Sequence, residues 1–417
     1  MLLSHKTTVR ISQSESNIVG HMCYAAYKLW NVCNYERLHY KELGLQRYPD
    51  WYYQKSAHKS DVWYKSLPSQ TAQEVCKQLD KSWKSFFTLK KNGGIENPNP
   101  PRFKQKGICI TYMQNGLRHE KEEGIIRFTL SRKLKEYMSE AYGIDEKYLI
   151  LKNKLFRNID RIKQVRMYPP EKGKMELIVI YETSEAEAKM DNDRYLAIDL
   201  GLHNLMTCYD SVGESFLLGR KYLSIARYYD KEIGRIQKEW AAAQNRMGVG
   251  YPKASRHLKK LYRKKKNSIN DYLHKLTRYV AEYCGDRGIN TVIIGDIKKI
   301  RKGSDLGRKT NQKLHALPYE RIYIMLEYKL KLKGIRMVRQ EESYSSQCSP
   351  LAAEVKKEYA EKNKRIERGL YMDNGRIYHA DAVGAYNIMR KSHAVSGIKK
   401  KLPVSGLDKI KLIKVAV

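Results

Sequence analysis

The sequence predicts a multidomain α+β protein, because of its length, its hydrophobic content and a change of periodicity along the chain. Its 417 residues exceed what a single core usually organises, and 42% of them are hydrophobic, which is enough to fill more than one core. Helical periodicity dominates residues 19–92, strand-like alternation is frequent in residues 93–190, and strands and helices alternate after that. We therefore expect helical, β-rich and α/β parts.

The first half of the chain predicts a β-rich domain into which a helical domain is inserted. Residues 5–11, HKTTVRI, alternate like a strand, and Ser14 or Ser16 is placed to cap the helix that follows. Apolar residues recur every three or four positions up to residue 92, where the run NGGIENPNPP marks a domain edge. Three strand-like runs follow. The predicted domains are 1–18 with 93–190 (β-rich, barrel-like) and 19–92 (helical).

The second half predicts an α/β domain over residues 191–390. The apolar run that ends at Asp199 begins three consecutive strands, and a long basic helical region follows them up to residue 283. The strand TVIIGD, a helix, the strand IRMVRQ and a helix bearing Asp381 come next. Three meandering strands followed by alternating helix and strand are typical of an RNase H-like fold. Residues 391–417 are predicted to be a basic tail.

The charge of the chain predicts a polyanionic partner. Lys and Arg number 80 against 45 Asp and Glu, which gives a formal net charge of +35. Such an excess repels itself unless a polyanion neutralises it, so nucleic acid is the leading candidate. The 32 tyrosines against 6 phenylalanines supply ring faces on which bases stack and hydroxyls that bind phosphate.

Cysteine spacing and the N-terminal sequence predict a soluble protein of a reducing compartment. None of the 7 cysteines forms a CxxC pair, and scattered thiols are typical of the cytoplasm. The start MLLSHKTTVRI has no signal-peptide pattern, and no apolar run is long enough to span a membrane. We therefore expect a soluble, cytoplasmic protein.

Two carboxylates in apolar surroundings indicate a metal-dependent site. Asp199 ends the apolar run YLAID, and Asp381 opens a segment of small residues; each alone is equally consistent with a turn or a solvated strand end. An RNase H-like sheet would bring both together, where carboxylates can hold a pair of Mg²⁺ ions for phosphodiester hydrolysis. A third acid is needed, and the candidates are Asp296, Glu341 and Glu342.

Several motifs in order resemble the TnpB family of transposon-encoded RNA-guided nucleases, relatives of the miniature type V CRISPR effectors. The motifs are YLAIDLGLHNL, NQKLHALPYERIYIMLEYKLKLKGIRMV, EESYSSQC and RGLYMDNGRIYHADAVGAYNI, preceded by LPSQTAQEVCKQLDKSWKSFF and PPRFKQKG. The resemblance implies that residues 191–390 form a RuvC-like nuclease domain, that residues 1–18 and 93–190 form a wedge domain, and that residues 19–92 form the inserted helical recognition domain.

The resemblance also implies roles for the acids and shows two departures. Asp199 would be the first and Asp381 the last metal-binding catalytic acid. Gly295 stands where the family commonly has its middle Glu, and Glu342 would replace that residue, with Glu341 second and Asp296 third in rank. The zinc ribbon, about residues 345–368, keeps Cys348 followed by Ser349 and Pro350. A ribbon without paired thiolates does not bind zinc, so no structural zinc is expected; the charged segment 351–368 is predicted to be a helix or a mobile loop.

The implied partners are a guide RNA and target double-stranded DNA, with no membrane. The resemblance also implies a prokaryotic protein that associates with the nucleoid through DNA. Nucleic-acid contacts are predicted for polar residues that open the recognition helix, for basic residues that enter the wedge domain, and for a basic helical face that is equally consistent with a solvated surface. They are Ser69, Gln70, Gln73, Arg102, Lys104, Lys106, Arg256, Lys260 and Lys264.

The predicted function is RNA-guided, Mg²⁺-dependent DNA cleavage next to a short motif, with two Mg²⁺ ions at Asp199, Glu342 and Asp381. The alternative is an RNA-guided DNA-binding repressor that has lost cleavage, which Gly295 and the lost ribbon favour. A guide-independent basic RNA-binding protein ranks last, because it gives the isolated acids no chemical role.

Overall fold

The computed structural model describes residues 1–93, 96–250, 253–297, 317–367, 369–392 and 402–416. Contacts within the chain divide it into two units, Met1–Ser184 and Glu185–Val417. Across these described ranges, no helix is both long enough and apolar enough to cross a membrane.

The first unit contains an antiparallel sheet that the N-terminal strand completes. Strand β1 (Leu2–Arg10) pairs along its whole length with β7 (Lys174–Glu182), so the strand predicted at residues 5–11 begins three residues earlier. The sheet order is β1-β7-β6-β2, where β2 is Ile110–Met113 and β6 is Arg161–Met167. A second sheet has the order β3-β4-β5, formed by Leu117–Glu120, Ile125–Thr129 and Tyr148–Lys152.

Helices lie between β1 and β2, as the recurrence of apolar residues every three or four positions predicts. They are α1 (Gln13–Leu38), α2 (Trp51–Ala57), α3 (Val62–Lys65) and α4 (Ser69–Asn92); α5 (Arg132–Tyr142) lies between β4 and β5. The predicted caps Ser14 and Ser16 are wrong. Ser12 caps α1 instead: its hydroxyl accepts from the Glu15 N–H, while the Glu15 carboxylate accepts from the Ser12 N–H. This reciprocal pair starts the helix two to four residues early.

The second unit is organised by one mixed sheet. Its strands are β8 (Tyr195–Asp199), β9 (Met206–Asp210), β10 (Ser215–Leu218), β11 (Thr291–Gly295), β12 (Arg336–Gln340) and β15 (Ile410–Leu412), in the order β12-β11-β8-β9-β10-β15. Strands β8, β9 and β10 are antiparallel neighbours, and β11 and β12 are added parallel to β8. The ends of β8, β11 and β12 therefore point the same way. Strand β15, within the predicted basic tail, had no sequence signal in our reading.

Helices cover both faces of this sheet. They are α6 (Tyr222–Arg246), α7 (Arg256–Asp286), α8 (Tyr319–Lys331) and α9 (Ala380–Lys391). Leu196 and Ile198 pack in the cluster that contains α7 and α8 residues, whereas Tyr195 and Ala197 pack with α9. Alternation along β8 thus separates two cores, and odd-numbered positions of β8 face α9.

The segment predicted as a degenerate zinc ribbon is held by hydrogen bonds. Between Leu351 and residue 367 the structure has turns and two 3-10 helices, Lys357–Tyr359 and Lys362–Lys364, so the predicted helix alternative is wrong. The Cys348 thiol donates to the Lys356 carbonyl oxygen at 3.2 Å. Buried Asp373, at the end of β13 (Leu370–Asp373), accepts from the Ser349 hydroxyl and from the Lys364 ammonium; β14 (Arg376–His379) completes the hairpin.

Candidate active site at the ends of the parallel strands

Asp199 is the last residue of β8, and its side chain points toward α9. It shares the face of Tyr195 and Ala197, which pack against that helix. A Cβ added at Gly384 of α9 would lie 2.5 Å from the Asp199 Oδ2 atom, far inside van der Waals contact. Helix α9 therefore approaches the carboxylate as closely as it does because residue 384 has no side chain.

Asp381 lies in the first turn of α9 and is held by two neighbours. The Asn204 Nδ2 atom, after the turn that follows β8, donates to Asp381 Oδ2 at 2.9 Å. The Arg365 Nη2 atom lies 3.7 Å from Asp381 Oδ1. A carboxylate in the first turn also benefits from the positive end of the helix dipole. These contacts fix the side chain close to Asp199, whose pKa it raises.

Glu342 follows β12 and folds back over the end of β11. Gly295 pairs with Gln340 in the parallel ladder, and a Cβ at Gly295 would overlap the Glu342 Oε2 atom. The Glu342 carboxylate thus occupies the space above Gly295. Its Oε2 atom is buried and accepts no hydrogen bond from the described part of the chain.

The two alternative acids have different surroundings. The Glu341 carboxylate accepts from the Lys391 ammonium and, at 2.7 Å, from the Ser343 N–H. Burial alone would raise the pKa of Glu341, but the hydrogen bonds from Lys391 and Ser343 outweigh it and lower that pKa to about 2. Asp296 donates its backbone N–H to the Gln340 carbonyl oxygen at 2.7 Å, and its charge acts on Glu342.

The acids repel one another electrostatically. Burial, and then the charges of Glu342 and Asp381, raise the pKa of Asp199 well above its usual range, although Arg365 and the Leu200 N–H act in the opposite direction. Burial, followed by the charges of Asp296 and Glu341, raises the pKa of Glu342 to about 7. Like charges brought together in a partly buried place are typical of functional sites.

Two structural observations bear on a metal at this site. Carboxylate oxygens are the ligands that Mg²⁺ prefers. The Glu342 Oε2 atom is buried without a hydrogen-bond donor from the described residues, so a cation or a donor bound there would stabilise it. The chemistry of the donors therefore fits a divalent cation. However, among the residues that the structure describes, no three His, Cys, Asp or Glu side chains converge closely enough to form a ready metal-binding group.

A cationic cleft of about 840 Å³ opens beside Asp381. Arg220, Arg227, Lys231 and Arg365 contribute to its lining, together with the turn after β8. Sequence reasoning missed these cations. Arg220 lies two residues after β10 and Arg227 lies near the start of α6, so their closeness in sequence to the sheet was the available signal, whereas nothing local marks Arg365.

The predicted nucleic-acid contacts of the recognition helix are only partly exposed. Ser69, the first residue of α4, is exposed, whereas the Gln70 Oε1 atom is buried and accepts no hydrogen bond from any residue in the described ranges. The Gln73 side chain forms a hydrogen bond with Tyr64. Two of these three side chains are therefore turned toward the protein.

The predicted basic contacts lie on two surfaces, one in each unit. The carbonyl oxygens of Arg102 and Lys104 accept from side chains of α1, and the Lys104 Nζ atom lies 4.5 Å from the centre of the Trp30 ring. Arg102 and Lys106 remain exposed. On α7, one face presents exposed basic side chains at intervals of four residues, namely Arg256, Lys260 and Lys264. Within the second unit, none of Arg256, Lys260 and Lys264 lines the cleft that contains Asp381.

Comparison with known proteins gives matches to two family models and to curated proteins that include a bacterial relative. The family model OrfB_IS605, "Probable transposase", matches residues 178–301, and the model of the Cas12f1-like TNB domain matches residues 319–388. The "Putative RNA-guided DNA endonuclease InsQ" of Escherichia coli (strain K12) is 22% identical over 343 residues, which are 80% of this chain and 77% of that protein.

Solved structures also align with the chain. The Cas12f1–sgRNA–target DNA complex aligns with a TM-score of 0.49 and 14% identity, covering 90% of this chain and 83% of that one. CasPhi-2 (Cas12j) bound to crRNA and phosphorothioate-DNA aligns with a TM-score of 0.42 and 10% identity, covering 96% and 92%.

Proposed function

We propose that this chain is a TnpB-like, RNA-guided DNA endonuclease whose catalytic acids are Asp199, Glu342 and Asp381, because two family models and a putative RNA-guided DNA endonuclease match it. One observation carries the proposal. Three elements that are distant in sequence, β8, the end of β12 and the start of α9, bring the carboxylates of Glu342 and Asp381 within electrostatic reach of Asp199. A fold without chemistry to perform gains nothing from burying acids that repel each other.

Each acid would have a separate contribution to binding the cations. Asp199, on the central strand, lies next to both other acids, and Glu342 supplies the unsatisfied oxygen above Gly295. Asp381 is oriented by Asn204 and Arg365. Mg²⁺ ions, when bound, activate water and stabilise the leaving oxygen of a phosphodiester. The raised pKa of Asp199 and the pKa of Glu342 near 7 mean that divalent cations compete with protons here.

The cleft beside Asp381 is proposed to receive the strand that is cut. Its cations, Arg220, Arg227 and Lys231, attract the phosphodiester backbone and lead toward the acids. Specificity would come from a bound guide RNA that pairs with target DNA next to a short motif, as in RNA-guided effectors generally. The printed name of the InsQ relative supports this reading.

The test is cleavage of a plasmid target library by the full chain purified with its copurifying RNA. We expect cutting that requires Mg²⁺, stops with EDTA and occurs at sites that match the RNA. Asp199→Ala and Asp381→Ala should abolish cleavage and leave RNA affinity within a few-fold of wild type. Loss of RNA binding in both variants would show that these acids are structural.

A second candidate, guided DNA binding without cleavage, is favoured by the absence of a converged three-residue metal group in the described parts of the chain. It predicts that the wild-type complex protects its target DNA from a nuclease but leaves it uncut in Mg²⁺. The same library experiment, with footprinting added, separates the two functions.

A further inference from the structure

We propose that the unit Met1–Ser184 carries a pocket for an unpaired nucleobase of bound RNA, built by α1, α3 and α5. The pocket is a cleft of about 570 Å³, within the usual range for small-ligand sites. Its assignment to RNA rests on the proposed function, whereas the geometry of the pocket is independent of it. None of the residues predicted from the sequence to contact nucleic acid lines this cleft.

Aromatic rings form its walls. The His21 ring lies 4.2 Å from the Tyr137 ring with an interplanar angle of 25°, and 6.1 Å from the Tyr24 ring at 24°, so His21 stacks with both tyrosines. Trp63 meets Tyr24 edge-on at 5.5 Å. Tyr24 and Tyr142 keep 40% and 53% of their surface exposed. Partly exposed aromatic rings beside a cleft are groups on which a base can stack.

The rest of the lining suits a base better than a purely apolar ligand. Ser16 and Asn17 bring hydrogen-bonding groups into the cleft, and Lys133 brings a cation. Burial lowers the pKa of His21, so its neutral imidazole offers one donor and one acceptor at pH 7. Polar edges around ring faces match the polar edges and flat faces of a nucleobase.

Positive charge lies close to the aromatic rings of the pocket. The Lys28 Nζ atom lies 5.4 Å from the centre of the Tyr24 ring and 5.9 Å from that of Trp63. Together with Lys133 and the net charge of +35, it makes the surroundings complementary to a polyanion. RNA is the favoured source, because folded RNA presents unpaired bases in loops and bulges whereas duplex DNA keeps its bases stacked.

Gly20 provides a direct way to close the pocket. It lies on α1 and lines the cleft, and a Cβ built there meets no atom within 4 Å. Gly20→Leu should therefore fill the cleft without removing a contact and without straining the helix. Gly20→Ala is the small control. Gly234→Leu on α6 is the matched control, because Gly234 is also helical with no atom within 4 Å of its Cβ position.

The experiment measures the affinity of the full chain, stripped of RNA, for two fluorescent probes. One is an oligoadenylate of about 12 nucleotides and the other is the same ribose-phosphate chain without bases. We expect wild type to prefer the probe with bases by roughly 5- to 100-fold. Gly20→Leu and Tyr137→Ala should lose most of that preference, while Gly20→Ala and Gly234→Leu keep it. Gly20→Leu with the wild-type preference would overturn the pocket.

Two further measurements distinguish RNA from DNA as the source of the base and test the pocket independently of the nuclease function. An equal, Gly20-dependent preference for oligodeoxyadenylate would overturn the assignment to RNA. The same preparations are tested for guided cleavage with their copurified RNA. If Gly20→Leu removes the base preference and wild type does not cleave, the pocket is supported and the nuclease function is contradicted. Cleavage without a base preference keeps the nuclease and rejects the pocket.

Discussion

At the scale of single residues, the position of Glu342 above Gly295 shows how the residue after β12 can place a carboxylate at the end of β11. Parallel pairing puts Gln340 beside Gly295, and Glu342 follows two residues later. Any side chain at position 295 would overlap the Glu342 carboxylate. An acid on β11 and an acid after β12 are therefore alternatives for the same space.

Glu342→Gln should abolish guided cleavage while Glu341→Gln leaves it nearly intact. The amide replaces a carboxylate oxygen that has no hydrogen-bond partner among the residues that the structure describes. A loss on the order of 100-fold or more is therefore expected, comparable to removing one electrostatic stabiliser. Glu341 is engaged by Lys391 and is expected to have no direct part. The measurement is single-turnover cleavage of a cognate plasmid.

An exchange of positions tests the same idea in the other direction. Glu342→Gly should be inactive, and adding Gly295→Glu to it should restore part of the activity, because the carboxylate returns to the vacated space. Wild-type rates in Glu342→Gln would instead move the role to Asp296 or Glu341.

The stability of the metal-free protein should depend on pH through Glu342. Burial and neighbouring acids raise the pKa of Glu342 from 4.5 to about 7 in the folded state. The folded protein then binds more protons than the unfolded chain between these values, so this stabilisation is complete below about pH 4.5 and lost as pH rises through 7. In EDTA, Glu342→Gln should exceed wild type in stability at pH 8 by at most about 3 kcal/mol and match it at pH 4.5.

Glu341→Gln is the control with the opposite sign. The pKa of Glu341 is lowered to about 2, so its charged form stabilises the fold above about pH 4.5 and this contribution is lost only as pH falls through 2. Thermal unfolding from pH 4.5 to 8 should show Glu341→Gln below wild type throughout. Equal pH profiles for wild type and Glu342→Gln would contradict the raised pKa.

The sequence singled out Asp199 and Asp381 as candidate acids, whereas local pattern alone did not choose among Glu342, Glu341 and Asp296, which only the family resemblance ranked. Asp199 and Asp381 lie next to apolar or small residues, and that local contrast is visible in the sequence. Strand alternation predicts that Glu341 and Glu342 face different ways but not which one faces the sheet end. The choice depends on Lys391, which pairs with Glu341 from a position 50 residues away, and such pairing appears only in three dimensions.

At the scale of elements, the close packing of α9 on the sheet is what brings Asp381 to Asp199. Ala382, Gly384 and Ala385 are fully buried in this contact, as their small size suggested. The hairpin and the irregular segment before α9 were harder to predict, because their order comes from hydrogen bonds between distant residues such as Ser349 and Asp373. Strand β15 has only three residues, and it is recognised as a strand by its pairing with β10.

Gly384→Ala should reduce cleavage although alanine is the better helix former. The new Cβ would lie 2.5 Å from Asp199 Oδ2, so the carboxylate or the helix must move. Overpacking typically costs about 1–3 kcal/mol, more than the roughly 1 kcal/mol gained in helix propensity. A displacement of about 1 Å at reacting groups can cost on the order of 100-fold in rate.

The comparison for this variant is Gly234→Ala on α6, where a Cβ has open space. Cleavage rate and thermal stability are measured for both. Gly234→Ala should equal or slightly exceed wild type in stability and cut normally. A wild-type cleavage rate in Gly384→Ala would show that the approach of α9 to Asp199 is not needed for catalysis.

At the scale of the whole molecule, a net charge of +35 favours a polyanionic partner but does not indicate which surface would bind it. Composition alone predicted a polyanionic partner, and any basic surface satisfies that prediction. The structure distinguishes basic side chains that form ion pairs with neighbouring acids from basic side chains that lie exposed on one helix face. Lys275 pairs with Asp271, Arg278 with Glu282 and Lys331 with Glu327, whereas Arg256, Lys260 and Lys264 form an exposed basic face of α7.

RNA affinity should therefore fall steeply with salt, and the exposed face of α7 should account for part of the slope. Each neutralised phosphate releases counterions, so a site with several contacts loses roughly 1,000-fold or more in affinity between about 50 and 200 mM salt. Replacing Arg256, Lys260 and Lys264 by Gln should lower the slope of log K against log salt by about 2 to 3. The matched triple of Lys275, Arg278 and Lys331 to Gln removes the same charge from ion-paired positions and should change the slope little. If both triples change it equally, net charge rather than this face governs binding, and the α7 contacts are not part of the RNA site.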